Sequence, residues 1–306
     1  MGERSPSSVI AIFGPTASGK SEVAEALAER IPAELVSADA MQLYRGLPIL
    51  TNQSPFPTHL VGLWPLSHEA SVGEYGKIAH ATIDAILACG RTPIVVGGTG
   101  LYLRAALADL DLPPRTSPEL RKRCERVYER LGAERAHALL AQRDPPAAAA
   151  THANDRRRVV RSLELAEAGF TLARTRDRLW SADLRRPALV IGLDVPQEVL
   201  SRRIEERTRS MFERGVEEEV RRALAGGVSA TARHAHGLRE IAELPREEAV
   251  EQLLAKTRRY AAYQRKWMRR IPGLVTVAGG RPAGEVADDV LEVARARKHL
   301  PARRGG

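Results

Sequence analysis

One segment near the amino end, residues 9–21, restricts the fold of this 306-residue chain more than any other. An apolar run, Val9–Phe13, precedes a glycine-rich loop that fits the pattern G-x-x-x-x-G-K-[ST], and the following residues, Ser21–Arg30, have the spacing of an amphipathic helix. The loop consists of Gly14, Pro15, Thr16, Ala17, Ser18, Gly19, Lys20 and Ser21. A strand, such a loop and a helix in this order predict a phosphate-binding turn in an α/β fold.

The chemistry of this loop predicts an anionic ligand. Backbone N–H groups of the loop and the N-terminus of the helix form a pocket for phosphate oxygens. Lys20 adds a positive charge, and the Ser21 hydroxyl is the kind of ligand that Mg²⁺ takes in loops of this pattern. We therefore expect a polyphosphate, either a nucleoside triphosphate or another diphosphate ester, with Mg²⁺ as the cofactor.

Composition excludes several classes of protein. No apolar stretch approaches the roughly 20 residues that span a bilayer, and the segment Met1–Ser8 is polar, so we expect a cytoplasmic protein without a membrane contact. Cys89 and Cys124 belong to no C-x-x-C pair, which argues against a zinc site or a disulfide framework. At 43% hydrophobic and 28% charged residues, the chain is typical of globular proteins.

The net charge of +9 has two explanations. An arginine-rich composition can simply cover solvated helix faces, or it can bind the phosphates of a nucleic acid. Aromatic residues make up only 4% of the chain, which argues against a broad base-stacking platform.

Strand and helix patterns alternate along the first 110 residues. The predicted helices, Glu22–Arg30 and Gly76–Cys89, lie between predicted strands, and this alternation is typical of a parallel sheet with helices on its faces. The strands are predicted at Val9–Phe13, Glu34–Ser37, Pro93–Val96 and Ala188–Val195.

A second region follows in which the strand pattern is lost. Residues 111–186 read as a helical insertion, with an arginine-rich helix that begins near Asn154-Asp155. From Gln197 onward the chain reads as mostly helical. We therefore predict an α/β core of residues 1–110 and 187–306, and a helical insertion domain of residues 111–186.

Two polar residues follow predicted strands, where ligands of open α/β sheets bind. Asp39 can hold Mg²⁺ through water or accept a proton, or it can serve as the N-cap of the next segment. Thr99 lies in Gly97-Gly98-Thr99-Gly100 and can form a hydrogen bond at the rim of a pocket, or the segment is a simple strand-to-helix turn. The strand Pro93–Val96 ends in glycine instead of the aspartate common in NTPases, and Asp39 or Asp194 would have to replace it.

Arginine residues supply further candidates. Ile204, Arg207 and Met211 share one helix face, so Arg207 either pairs with a buried carboxylate or faces an anionic ligand. Two basic runs are present, one at residues 156–161 and one containing Arg258, Arg265 and Arg269. Each run is either a solvated face or a contact to a phosphate backbone.

In order along the chain, these motifs resemble those of bacterial tRNA dimethylallyltransferases, also called tRNA isopentenyltransferases. The matching segments are Gly14–Ser21, Asp39–Gly46, Gly97–Tyr102, His152–Glu164, Arg203–Gly215 and Thr257–Arg269. Each segment alone is a weak signal, but the ordered set covers most of the chain and is specific.

The resemblance implies that a dimethylallyl group is transferred from dimethylallyl diphosphate to N6 of the adenosine 3′ of the anticodon, giving N6-isopentenyladenosine. In the family the phosphate loop holds this diphosphate and not ATP, with Mg²⁺ at Ser21. Asp39 would take the proton from N6 or orient the amine, Thr99 would contact the acceptor or hold Asp39, and Arg207 would neutralise the leaving diphosphate. Nothing in the sequence demands more than one copy of the chain, so we expect a monomer.

The resemblance also implies contacts to the anticodon stem-loop of tRNA. The residues at the matching positions are Asp39, Ala40, Met41, Gln42, Thr99, Arg121, Arg157, Arg158 and Arg161. Three departures from the family pattern stand out: Ala40 replaces a serine, Leu50–Pro55 lacks a lysine, and His234–Leu238 replaces a Gln-Ala-x-Gly-Tyr stretch.

Three other functions compete with this one. A prenyltransferase that acts on free adenine nucleotides would not need Arg121 or the basic run at residues 156–161. A small-molecule kinase would use the loop to bind ATP. An RNA-binding module with a vestigial loop would have no reason to keep Lys20, Ser21, Asp39 and Arg207.

Overall fold

The computed structural model describes residues 8–172 and 182–300. The described part of Met1–Leu110 and Leu179–Gly306 forms one compact unit, the sheet unit, and the described part of Asp111–Arg178 forms a second, the helical unit. Residues 173–181 of the predicted insertion lie outside the described residues.

The sheet unit is built on a six-stranded parallel sheet in the order β3-β2-β4-β1-β5-β6. Its strands are β1 (Val9–Phe13), β2 (Ala33–Ser37), β3 (Thr58–His59), β4 (Thr92–Gly97), β5 (Ala188–Asp194) and β6 (Val275–Ala278). All five residues of β1 are buried between β4 and β5, as expected of a strand covered on both faces. The predicted α/β class is confirmed.

Helices cover both faces of this sheet. The sheet unit contains α1 (Lys20–Ala28), α2 (Val72–Ala88), α3 (Gly100–Leu107), α8 (Gln197–Glu213), α9 (Val216–Ala225), α10 (Leu238–Glu243), α11 (Arg246–Met268) and α12 (Ala283–Ala296). Alternate residues of β1 enter two different cores: Ala11 and Phe13 pack in the core that includes α2 and α3, whereas Ile10 and Ile12 pack in the core that includes α1 and α12.

The helical unit contains α4 (Pro118–Leu131), α5 (Ala133–Arg143), α6 (Pro145–Ala149) and α7 (Arg156–Glu167). Its small core includes Cys124, Leu140, Val159 and Leu163. The arginine-rich helix α7 begins where the sequence predicts, because an Asp155 carboxylate oxygen accepts a hydrogen bond from the Arg158 amide at 3.1 Å. Among the helices of the described ranges, none has the length and the apolar character to cross a bilayer.

The structure contains two strands that the sequence analysis did not predict, β3 and β6. The region after Gln197 is mostly helical, as predicted, but it includes β6, which pairs with β5 through Ile191 and Val275. Only Val277 of this four-residue strand is buried, so its local pattern is too weak to predict it. Helix α2 begins at Val72 and not at Gly76, since the Ser71 hydroxyl accepts a hydrogen bond from the Glu74 amide at 3.2 Å.

A buried carboxylate holds the turn that follows Leu47. Glu219 of α9 is 4% exposed. Its two oxygens accept hydrogen bonds from the amides of Ile49 and Leu50, each at 2.8 Å. Neither amide belongs to a strand or a helix, so the turn depends on Glu219 for the pairing of its buried donors.

We predict that Glu219→Ala destabilises the protein by about 2 to 3 kcal/mol, because two amides lose charge-assisted hydrogen bonds. Urea unfolding followed by circular dichroism measures this change. Glu218→Ala is the matched control, since Glu218 is exposed and pairs only with Arg221 and Arg222 at the surface. Equal stability of the two variants would contradict the role of Glu219.

Candidate active site

The parallel sheet brings three predicted site segments to one edge. The loop Gly14–Gly19 follows β1, Asp39 comes two residues after the end of β2, and Thr99 comes two residues after the end of β4. Strands β2, β4 and β1 are consecutive neighbours in the sheet. Because all of them are parallel, their carboxyl ends meet on the same side, where open α/β sheets bind ligands.

The phosphate loop closes tightly on itself. The Ser18 amide donates to the Pro15 carbonyl at 3.2 Å, and the Lys20 ammonium donates to the same carbonyl at 3.3 Å. Ala17 and Gly19 both have positive φ angles, 63° and 83°. The buried Ser18 hydroxyl oxygen has no hydrogen-bond partner among the residues that the structure describes. The loop thus keeps an unused polar group.

The charge of Asp39 affects the pKa values of two cations at this edge, Lys20 and Arg207. Burial lowers the pKa of Lys20, the charge of Asp39 raises it, and the charge of Arg207 lowers it again. Burial likewise lowers the pKa of Arg207, and Asp39 is the first group that opposes this effect. Two cations shielded from water exert a strong field, which favours binding of a multiply charged anion.

Arg207 faces the phosphate loop. Its Nη1 atom donates to the Thr16 hydroxyl at 3.0 Å. Within the described part of the chain it forms no close ion pair with a carboxylate, so the first of the two sequence alternatives is not observed, and its role towards an anionic ligand stays a prediction. Thr208, the next residue of α8, is buried and donates to the Ile204 carbonyl at 2.8 Å.

A cleft of about 680 Å³ opens beside the loop. Lys20 and Ser21 line it, together with Arg203 and Arg207 of α8 and with Arg214, which follows that helix. Basic side chains outnumber the acidic ones in the lining, Glu22 and Glu206, so the cleft suits an anion.

Asn52 also lines this cleft, although sequence reasoning gave it no role. It has a positive φ of 51°, and its carbonyl accepts a hydrogen bond from the Gln42 amide group at 3.2 Å. The departure of Leu50–Pro55 from the family pattern points to this segment. It does not indicate in which direction the Asn52 side chain lies.

Asp39 caps the turn that follows β2, which is one of its two sequence interpretations. One carboxylate oxygen accepts a hydrogen bond from the Met41 amide at 3.0 Å, as a capping residue does. Within the described ranges, the other oxygen has no hydrogen bond. The turn therefore fixes the direction of the carboxylate while one oxygen stays available to a substrate.

The neighbours of Asp39 have different environments. Ala40 and Met41 are partly buried. The Gln42 carboxamide is used inside the fold: its oxygen accepts from the Ser37 hydroxyl at 3.0 Å, and its nitrogen donates to the carbonyls of Thr51 and Asn52. Gln42 therefore holds the Asn52 turn in place.

Close approach of other groups explains the glycines around Thr99. A Cβ atom at Gly97 would overlap the Ala38 carbonyl, one at Gly98 would overlap the Gln264 side chain, and one at Gly100 would overlap Trp267. Thr99 occupies the N-cap position of α3, but its hydroxyl makes no capping hydrogen bond. The Thr99 side chain lowers the pKa of Tyr260, a residue to which sequence reasoning gave no role, against the rise that burial causes.

Asp194 and two arginines of α11, Arg258 and Arg265, form ion pairs within the protein. Asp194, at the end of β5, accepts a hydrogen bond from Arg265 at 3.2 Å, whereas Asp39 is the acid whose charge acts most on Lys20. Arg258 lies 3.9 Å from Glu205. These two arginines of the second basic run therefore have partners within the protein.

The arginines of the helical unit divide into two groups. Arg157 is exposed and has no ion pair among the described residues, while Arg158 and Arg121 make only exposed contacts to Asp155 and Glu125. Arg161 instead donates to Glu164 at 2.8 Å. Because Glu164 is 1% exposed, Arg161 mainly compensates a buried charge.

The residues around the loop fit a magnesium ion whose ligands would be the Ser21 hydroxyl and oxygens of a bound phosphate. Ser21 lines the cleft between Lys20 and Glu22. In the described ranges no three histidine, cysteine or acidic side chains cluster as metal ligands. A hydroxyl together with phosphate oxygens is the arrangement that Mg²⁺ favours at such sites.

Comparison with known proteins supports a single family. Residues 42–271 match the model of IPP transferases, and residues 7–63 match that of isopentenyl transferases. The crystal structure of the full-length tRNA isopentenylpyrophosphate transferase from Bacillus halodurans is similar to this chain with a TM-score of 0.67 and 30% identity, covering 96% of this chain and 100% of that one.

Two curated relatives agree with this match. A tRNA dimethylallyltransferase of Corynebacterium jeikeium is 39% identical over 287 residues, which cover 89% of this chain and 92% of the relative. Another, from Thermobifida fusca, is 41% identical and covers 87% of this chain and 88% of its own length. With a family match over residues 42–271 and relatives similar over nearly their whole length, this chain belongs to the IPP transferase family.

Proposed function

We propose that the protein is a tRNA dimethylallyltransferase, which transfers a dimethylallyl group from dimethylallyl diphosphate to N6 of the adenosine 3′ of the anticodon. The observation that carries this proposal is the convergence of two cations and one carboxylate at one edge of the sheet. There the charge of Asp39 acts on the pKa values of Lys20 and Arg207. Two shielded cations suit a leaving diphosphate, and a carboxylate beside them suits the proton that the amine must lose.

The reaction breaks the bond between C1 of the donor and its diphosphate oxygen, and pyrophosphate leaves with the electron pair. A new bond forms between C1 and N6, and the proton of N6 moves to Asp39. The loop residues Gly14–Ser21, Lys20 and Arg207 stabilise the leaving anion. The Ser21 hydroxyl would hold Mg²⁺, which supplies further neutralisation of the diphosphate charge.

The acceptor side uses Thr99 and the exposed arginines. Thr99 orients Asp39 or contacts the acceptor nucleotide. An adenine stacked in a loop cannot reach a buried donor, so we expect the base to be flipped out before transfer. In the helical unit, Arg121, Arg157 and Arg158 bind phosphates of the anticodon stem-loop. Cytoplasmic location and a monomeric state stay predictions.

The activity can be tested by nucleoside mass spectrometry. We expect the purified protein with Mg²⁺ and labelled dimethylallyl diphosphate to form N6-isopentenyladenosine in an anticodon stem-loop that carries adenosine at the modified position. Free AMP and ATP are offered in parallel. Modification of the nucleotides alone, or ATP hydrolysis without modified RNA, would overturn the proposal.

We predict that Asp39→Asn abolishes transfer, because the amide cannot accept the proton, while its oxygen can still accept the Met41 hydrogen bond. Single-turnover rates measure transfer, and filter binding measures the affinity for the stem-loop. We expect a rate loss of about 100-fold or more with almost unchanged binding. Transfer at the wild-type rate would show that Asp39 is not the base.

We predict that Arg157→Ala weakens binding of the stem-loop and lowers the slope of log K against log salt by about 1. The affinity for inorganic pyrophosphate should not change. Arg161→Ala is the matched comparison on the same helix: it should lower the thermal stability because Glu164 loses its partner. Unchanged salt dependence in Arg157→Ala would argue against a phosphate contact.

A further inference from the structure

Gln264 of α11 joins two loops of the candidate active site. It is 3% exposed. Its carboxamide oxygen accepts a hydrogen bond from the Thr16 amide at 2.8 Å, and its nitrogen donates to the Gly98 carbonyl at 2.8 Å. One side chain therefore ties the phosphate loop after β1 to the turn after β4.

Glycine at position 98 makes this bridge possible. A Cβ atom there would overlap the Gln264 nitrogen, so any other residue would push the carboxamide away. The hydrogen bond to Gly98 is buried and the one from Thr16 is partly buried. A carboxamide offers a donor and an acceptor at two corners of one rigid plane, so a single side chain can make both bonds. The distance between the two loops is thereby fixed.

Tyr260 lies one helical turn before Gln264, on the same face of α11. Its ring packs against His236, with the centroids 5.4 Å apart. Burial raises the pKa of Tyr260 to about 12, and hydrogen bonds with the side chains of Thr99 and Gln264 oppose that rise. The hydroxyl stays protonated at neutral pH and can act as a donor.

These contacts form a continuous path across the site. Arg207 donates to the Thr16 hydroxyl, and the Thr16 amide donates to Gln264. Gln264 donates to the Gly98 carbonyl, next to Thr99, and Tyr260 lies one turn before Gln264 on the same helix face. One end of the path lies at the residues proposed to hold the diphosphate, and the other lies at the residue proposed to face the acceptor.

We infer that Gln264 and Tyr260 are positioning residues that align the donor with the acceptor amine. This inference rests on the proposed transfer reaction. A displacement of one loop relative to the other would move C1 of the donor away from the line of attack by N6, without removing any group that binds either substrate. The loss should therefore appear in kcat and not in the affinity for either substrate.

Tyr260→Phe tests the inference, because it keeps the ring against His236 and removes only the hydroxyl. Tyr263→Phe is the matched control: it makes the same change on the same helix, at an exposed residue. We expect kcat of Tyr260→Phe to fall about 10-fold, while kcat of Tyr263→Phe and the Kd of inorganic pyrophosphate for both variants stay within about 2-fold.

Gln264→Met supplies a second variant of similar size that cannot form either hydrogen bond. We expect kcat to fall about 100-fold, again with a smaller change in the Kd of pyrophosphate. In a double-mutant cycle, Tyr260→Phe and Thr99→Val should be non-additive, because both remove the same interaction.

Three outcomes would overturn the inference. These are equal kcat in Tyr260→Phe and Tyr263→Phe, additive effects in the cycle with Thr99→Val, or a fall in kcat accompanied by an equal loss of pyrophosphate affinity. Absence of transfer by the wild-type protein would overturn the proposed function itself, so the two failures are distinguishable.

Discussion

The parallel pairing of β1 with β4 on one side and β5 on the other is the constraint on which this structure depends. Parallel strands place all their carboxyl ends at one edge of the sheet. The loops that follow these strands therefore lie close together, although they are far apart in the sequence. Gly14–Gly19, Asp39 and Thr99 come from three different strand ends and meet for this reason. The two cores on the faces of the sheet hold that arrangement rigid.

Shielding of charge from water gives this edge its chemical character. Lys20 and Arg207 would each be fully hydrated on an open surface, where their attraction for an anion is weak. Burial in the fold removes part of that hydration and lowers the pKa of both groups, while Asp39 opposes the effect. The cations are thus already oriented when the leaving group acquires charge, which is the most effective form of electrostatic stabilisation.

The sequence predicted the central strands and the loop, because long apolar runs and a glycine pattern are local signals. It failed at β6, where pairing with β5 and not local pattern creates the strand. Arg161 and Arg157 look alike in the sequence, but Arg161 donates hydrogen bonds to the Thr116 hydroxyl and the Pro114 carbonyl, which belong to a remote segment of the chain. Gln264 lies in a segment that matches the family, but its bridging role was not predicted, because its partner Gly98 is 166 residues away. The place of Asn52 in the cleft depends on the direction of one side chain.

The sequence by itself determined the α/β class, the phosphate loop and the family resemblance, since each depends on residues close together or on motifs in a fixed order. The tertiary structure decided how Gln264 connects two loops, how Glu219 holds a turn of the sheet unit, and which arginine of α7 contacts Thr116. These features depend on distances between segments remote in sequence, and only the packed chain sets such distances.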